Sequence, residues 1–189
     1  MLKKSVCFVA LGLAAGAAAA APETYTIDSR HTFPSFEVSH LGFSTQRGRF
    51  NNTTGRIVLD REAKKAEVEV TIDAASIDTG LEELEKHLRN ADFFDVEKYP
   101  TITFKSTAAR FDGDRLAALE GDLTMRGQTR PVTLTIDKFT CGPHPFTKKA
   151  VCGADASATI KRSDFGIKYA LPAVGDEVKL RIQVEAIRD

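Results

Sequence analysis

Apolar and polar residues alternate one for one along most of this chain. In Ala66-Glu67-Val68-Glu69-Val70-Thr71-Ile72-Asp73 the apolar positions fall on one face and the charged or polar ones on the other, the period-two signature of a strand that is wet on one side only. The device returns at 154–161, where Ala154, Ala156, Ala158 and Ile160 oppose Asp155, Ser157, Thr159 and Lys161. It returns again at 178–186, where Val178, Leu180, Ile182, Val184 and Ala186 oppose Lys179, Arg181, Gln183 and Glu185. Pro34, Phe36, Val38 and His40 share a face, and shorter runs at 24–27, 48–60, 101–106, 116–125 and 132–136 read as further strands. Asp28-Ser29-Arg30, Leu41-Gly42-Phe43-Ser44, Asp112-Gly113 and Arg126-Gly127-Gln128-Thr129-Arg130-Pro131 read as the breaks and turns between them, and Asn51-Asn52-Thr53-Thr54-Gly55 suggests a bulge or bend. Eight or nine one-faced strands joined by tight turns predict an all-β fold. An antiparallel up-and-down barrel of about eight strands is favoured, with a sandwich as the alternative.

One stretch departs from period two. Between Asp78 and Pro100, Leu81, Leu84, Leu88 and Ala91 recur at helical spacing, with Glu82 and Glu83 at the start and Lys86 and Arg89 near the end. Thr79 and Glu82 have capping-box spacing, and Glu82 with Lys86 and Glu85 with Arg89 are i, i+4 pairs. A single one-faced helix among strands lays its stripe on a sheet or across a barrel end. With Phe93 and Phe94 behind it, the segment reads as a lid or plug.

The first residues change the picture of where this domain works. Lys3 and Lys4, the apolar run 6–13 and Ala18-Ala19-Ala20 have the layout of a cleaved secretory signal, so 1–20 is read as signal peptide and 21–189 as one domain. Removing Lys3 and Lys4 from 26 basic residues leaves 24 against 26 acidic ones, a formal charge of about −2. That offers no basic footprint for nucleic acid. Export into an oxidising space, most simply a periplasm, makes Cys141 and Cys152 a disulfide pair rather than a redox or metal site.

Catalytic chemistry is thinly represented. His31, His40, His87 and His144 lie on separate stretches without metal-ligand spacing, and neither a nucleophile elbow nor a phosphate-binding loop occurs. Asp164-Phe165-Gly166 spells a kinase tripeptide, but the motifs that would accompany it are missing, and a turn with Phe165 pointing inward is the better account. The small inward residues at 154–158 and Ala66 support two readings. Either they leave an apolar hollow, or they let neighbouring elements pack closely.

Taken together and in order, several motifs resemble the YceI-like family of lipid-binding proteins. They are Asp28-Ser29-Arg30-His31-Thr32 leading to Phe36-Glu37-Val38-Ser39-His40, then Gly48-Arg49-Phe50, the run from His87 to Pro100, Gly121-Asp122-Leu123-Thr124-Met125-Arg126-Gly127, and Arg162-Ser163-Asp164-Phe165-Gly166. The resemblance implies an extended lipocalin-like barrel holding a polyprenyl lipid, the tail of an isoprenoid quinone or a similar amphiphile, with no catalytic cofactor and no metal. It implies a periplasmic carrier rather than an enzyme. Phe36, Val38, Val68, Val70 and Ile72 are the expected lining from the first half of the chain. Ile102, Phe104, Leu123, Leu134, Ile136, Ala156 and Ile182 are those from the second, and Phe93, Phe94 and Phe165 are expected at the mouth. Two rivals stand beside it: an exported enzyme acting on isoprenoids, with His31, His40 and Asp164 gathered at one rim, and a docking module for a membrane redox protein. Transient contact with a membrane is compatible with the carrier, and the oligomeric state, a homodimer included, stays open.

Overall fold

The computed structural model describes residues 21–189, so the expected signal segment lies outside the described residues. The alternating stretches form β1 (Glu23–Ile27), β2 (Phe33–His40), β3 (Ser44–Phe50), β4 (Thr53–Asp60), β5 (Lys65–Asp73) and β6 (Ile77–Asp78). After the helix α1 (Glu82–Arg89) come β7 (Thr101–Asp112), β8 (Arg115–Met125), β9 (Gln128–Pro143), β10 (Ala150–Lys161) and β11 (Val174–Arg188). All pairings are antiparallel, and β1 pairs with both β4 and β11, which closes the sheet into a barrel.

The eleven segments reduce to eight strands, because three strands are broken midway. β1 and β2 lie end to end along β11, β1 against Ala186–Arg188 and β2 against the stretch from Val174 to Gln183. β4 and β3 follow on β1 and β2 in the same way, and β5 and β6 follow on β4 and β3. Counted so, neighbours in the barrel are neighbours in the chain throughout, as in an up-and-down barrel. This closure decides between the barrel and the sandwich.

Polar side chains hold the breaks. Asp73 Oδ1 accepts from Ala75 N–H at 2.9 Å, and Ser76 Oγ donates to Asp73 O at 2.7 Å while accepting from Asn52 N–H at 3.1 Å. The bend in one strand is thereby tied to the bend in the next. Asp28 holds the first break locally, accepting from Arg30 N–H at 3.0 Å and pairing with the His31 ring at 3.0 Å.

The broken strands leave a gap. β7 pairs with β5 but not with β6, so beyond the bend β6 has an uncovered edge, and α1 with the residues up to Pro100 occupies it. Arg89 ties this segment to that edge, donating to Ala75 O at 2.9 Å and Ile77 O at 3.0 Å. Arg126 ties it to the far side, donating to Ala91 O at 3.1 Å and Gly166 O at 3.2 Å.

Three local expectations need correction. The helix begins at Glu82 with Leu81 at its N-cap, and Glu85 rather than Glu82 turns back, accepting from Thr79 N–H at 2.9 Å. The Thr79–Glu82 capping box therefore does not form. Because α1 has only eight residues, Leu81 and Ala91 fall outside it and are exposed, leaving Leu84 and Leu88 as the inward stripe. The connection expected over 126–131 is only Arg126-Gly127, both with positive φ (50° and 68°), since Met125 already pairs with Gln128. Pro131 is tolerated in β9 because its stretch has β8 on one side and no partner in β10.

Candidate ligand-binding cavity

The apolar strand faces enclose a cavity of about 500 Å³ that opens beside the end of β2. The shape follows from how the inward residues pack. At the disulfide end the lining residues Tyr25, Leu59, Ala66 and Leu116 are themselves buried, which closes the cavity there. Along β11 the inward residues Val178, Leu180, Ile182 and Val184 face the same interior yet are only half-buried, because open space rather than side chains stands opposite them. The hollow is thus closed at one end and open toward the other.

Almost every position that alternation points inward faces this cavity. Phe36 and Val38 come from β2, Val68, Val70 and Ile72 from β5, and Ile102 and Phe104 from β7. Leu123, Leu134, Ile136, Ala156 and Ile182 complete the wall from β8 to β11, and Phe93 and Phe94 come in from behind the helix. Phe165 does not join them. It is 1% exposed in the 3-10 turn Arg162–Phe165, packed within the hydrophobic core and outside the cavity wall, where Gly166 at φ 80° turns the chain back.

The helix side of the wall is aromatic. Phe94 meets Phe50 edge-on at 5.5 Å between ring centres, and Phe50 stands 6.2 Å from Phe36. Nearer the mouth, Phe93 packs edge-on against His87 at 4.9 Å and Tyr169 at 5.5 Å. Gly48 lets Phe36 take its place, since a Cβ there would come within 2.5 Å of the Phe36 ring.

Alternation along strands could not reveal the loop that frames the mouth. Arg162 is buried, and its guanidinium donates to Gly175 O at 2.8 Å, Tyr169 O at 2.8 Å, Ile167 O at 3.3 Å and Val174 O at 2.9 Å. Four carbonyls of one loop are thereby gathered on one side chain. Burial pulls the Arg162 pKa below its ordinary value, and Asp176 acts in the opposite sense. Asp176 itself accepts from Ser163 N–H at 2.9 Å and Ser163 Oγ at 2.8 Å. The loop supplies Ile167, Tyr169, Ala170 and Val174 to the cavity, to which His40 at the end of β2 and Leu41 in the turn after it also contribute. Arg162 stands among polar neighbours, Lys161, Ser163 and Asp164, so nothing in the local pattern marks it as buried.

Chemically the arrangement can hold an apolar guest. Among the described residues no group of His, Cys, Asp or Glu side chains is placed to hold a metal ion. The grouping of His31, His40 and Asp164 at one rim does not form. His31 precedes β2 and pairs with Asp28, while His40 ends that eight-residue strand, about 25 Å away at roughly 3.3 Å per residue. Cys141 and Cys152 are directly opposite in the β9–β10 ladder and form a disulfide, S–S 2.00 Å.

An eight-stranded antiparallel barrel with one apolar hollow and a lid-like helix defines a lipocalin-like protein. The YceI-like domain model matches residues 25–186, and the chain belongs to that family. It is similar to a UPF0312 protein of Pseudomonas aeruginosa, 42% identical with all of both chains covered. It is also similar to Protein YceI of Escherichia coli O157:H7, 40% identical over 99% of each. Among solved structures, the Campylobacter jejuni YCEI protein shares 28% identity at a TM-score of 0.66, covering 80% of this chain and 90% of that one. A polyisoprenoid binding domain from Saccharophagus degradans has the same fold, with a TM-score of 0.64 at 16% identity over 87% of this chain and 98% of that one.

Proposed function

We propose that this protein is a periplasmic carrier that shields a long-chain isoprenoid lipid, a polyprenyl lipid or an isoprenoid quinone, inside its barrel. The observation that carries the reading is the hollow of about 500 Å³ walled by apolar strand faces, a size and character suited to a small apolar ligand. Its family membership and the fold it shares with a domain named for polyisoprenoid binding support the same reading. Each methylene removed from water is worth about 0.8 kcal/mol, so a prenyl chain of a few tens of carbons needs such a sleeve to cross an aqueous space. Residues 1–20 would direct export and be removed, leaving 21–189 as a single binding domain. The protein acts by holding its guest and needs no catalytic group.

Solvent extraction of protein purified without detergent, followed by mass spectrometry, tests the proposal. A long-chain prenyl lipid near one per protein is the expected result. A clean extract from folded protein that also refuses a prenyl lipid on reconstitution would overturn it.

A further inference from the structure

Of the five large apolar side chains exposed among the described residues, Leu81 precedes α1, Phe146 lies at the disulfide end, and Leu41, Phe43 and Tyr169 lie on two loops at the open end. Phe43 is 91% exposed, Leu41 51% and Tyr169 48%. Leu41 and Phe43 lie in the turn between β2 and β3, and Tyr169 lies in the loop that Arg162 gathers. The two loops are joined by Leu41 N–H donating to Ala173 O at 2.8 Å. Leu41, Tyr169 and Ala170 also face the cavity, so the outer apolar surface runs into the inner one, with His40 and Gln46 as the polar groups of the β2–β3 hairpin beside it.

The turn is built against its own backbone preference. Phe43 N–H donates to His40 O at 3.0 Å across Leu41 and Gly42, whose φ values are 54° and 73°. Two positive φ values in a tight hairpin turn call for Asn-Gly or Asp-Gly, and a leucine there is strained as well as exposed to water. A residue that loses on both counts in the free protein points to a surface used elsewhere.

Charge says what kind of surface that is. Ser39 to Gln46 and Ile167 to Val174 contain no carboxylate, in a chain with 26 acidic residues. Lys168 is the one fixed charge on these loops and His40 the one histidine. Apolar tips with a tyrosine beside them and a lysine in place of acids suit the headgroup boundary of an anionic bilayer. The three side chains offer roughly 400 Å² of exposed surface, about half of what one partner contributes to a standard protein interface.

We infer that the Leu41–Phe43 turn and the Tyr169 loop form a membrane-docking rim that seats the cavity mouth on an anionic phospholipid bilayer, so that the guest enters and leaves without crossing water. This deepens the carrier reading and rests on it. Phe146, 88% exposed on the turn between β9 and β10 at the opposite end of the barrel, provides the internal control.

The test is flotation with vesicles of phosphatidylethanolamine and phosphatidylglycerol, using protein exported and purified without detergent, its N-terminus read from intact mass. Wild-type protein should float, Phe43→Ser should bind roughly tenfold more weakly or worse, and Phe146→Ser should bind as wild type. Leu41→Asn should lose binding while its melting temperature rises, a split that a merely structural role for the turn would not produce. Transfer of a preloaded prenyl lipid to acceptor vesicles should slow in Phe43→Ser while its equilibrium lipid content stays unchanged. Absent wild-type binding, an equal loss in Phe146→Ser, or a dimer in sedimentation that Phe43→Ser dissociates without any vesicle effect would each overturn the rim. Vesicle binding by protein that never holds a prenyl lipid would leave the rim standing and remove the carrier; lipid-loaded protein that ignores vesicles would do the reverse.

Discussion

Ala154 is the position whose enlargement separates a hollow interior from a filled one. It stands on β10 opposite Phe139 of β9 and Val184 of β11, faces the cavity, and is half-buried. Two residues on, Ala156 shares the face but is fully buried opposite Ile136 and Ile182. Ala154→Phe adds roughly 100 Å³ of side chain; at about 24 cal/mol per Å³ of void removed, that gives up to about 2 kcal/mol in the guest-free protein. Imperfect rotamers would offset part of this. In a cavity of about 500 Å³, the ring takes the place of three or four methylenes of guest, about 3 kcal/mol or roughly a hundredfold in affinity. Urea unfolding of delipidated protein should therefore show Ala154→Phe no less stable than wild type, while Ala156→Phe, whose ring is forced against Ile136 and Ile182 on either side, loses about 1–3 kcal/mol. Extraction and mass spectrometry should show Ala154→Phe depleted of prenyl lipid. If Ala154→Phe destabilises as much as Ala156→Phe, the hollow does not extend to that point, and if it keeps its full lipid content, the guest lies elsewhere.

Three further outcomes follow from the geometry. The Thr53 side chain is fully buried with no hydrogen-bond partner for Oγ1; Thr53→Val should raise unfolding free energy by about 1 kcal/mol in urea titration, and a loss would show that the hydroxyl is in fact paired. The Asp28 carboxylate is held well below its usual range, chiefly by the Arg30 side chain and then by the His31 ring, so its stabilising charge is present above the unfolded value of about 3.9 and lost as pH falls below it. Asp28→Asn should be less stable than wild type at pH 6 and converge with it in strong acid; a constant gap would assign the effect to something other than charge. Arg89→Ala strips the bonds to Ala75 O and Ile77 O, and amide exchange over 82–96 should quicken while the β9–β11 ladders keep their protection. Unchanged exchange would mean that apolar packing alone holds the segment.

What was legible in the sequence, and what was not, divides along a physical line. Strict alternation in β5, β10 and β11 carries the side of the sheet each residue takes, because a strand's period of two fixes that without reference to anything distant. It cannot carry how far away the opposite wall lies. Leu180 and Ala186 share a face of β11, yet one borders the hollow and the other is fully buried, a difference set by which elements cross the barrel at that height. The breaks at 28–32 and 51–52 were visible as polar turn signals, but a turn that ends a strand and a bend within one use the same residues. Phe165 shows a related limit: an apolar residue in a turn can bury itself in the core or border the cavity, and only the left-handed Gly166 and the Arg162 cluster around it decide for the core. The helical period was real, but Gly80 at φ 77° and the Glu85 bond to Thr79 set where the helix starts, and neither follows from the stripe.

The broken strands, the helix and the hollow are one structural problem. An eight-stranded barrel is wide enough either to be filled by its own side chains or to hold a small ligand. Three adjacent strands are broken at Asp28, Asn52 and Asp73, and beyond the last break the β6 edge has no strand beside it. A further strand would close that edge with a ladder of backbone bonds. The chain closes it instead with a short helix, held across the gap by side chains of Arg89 and Arg126 and by the packing of Phe93 and Phe94. Side-chain bonds to a few carbonyls release at lower free energy than a continuous ladder, so this segment belongs to the least stable part of the wall. The breaks that end the β5–β7 ladder thus leave a stretch of wall held by side-chain bonds and apolar packing instead of a ladder.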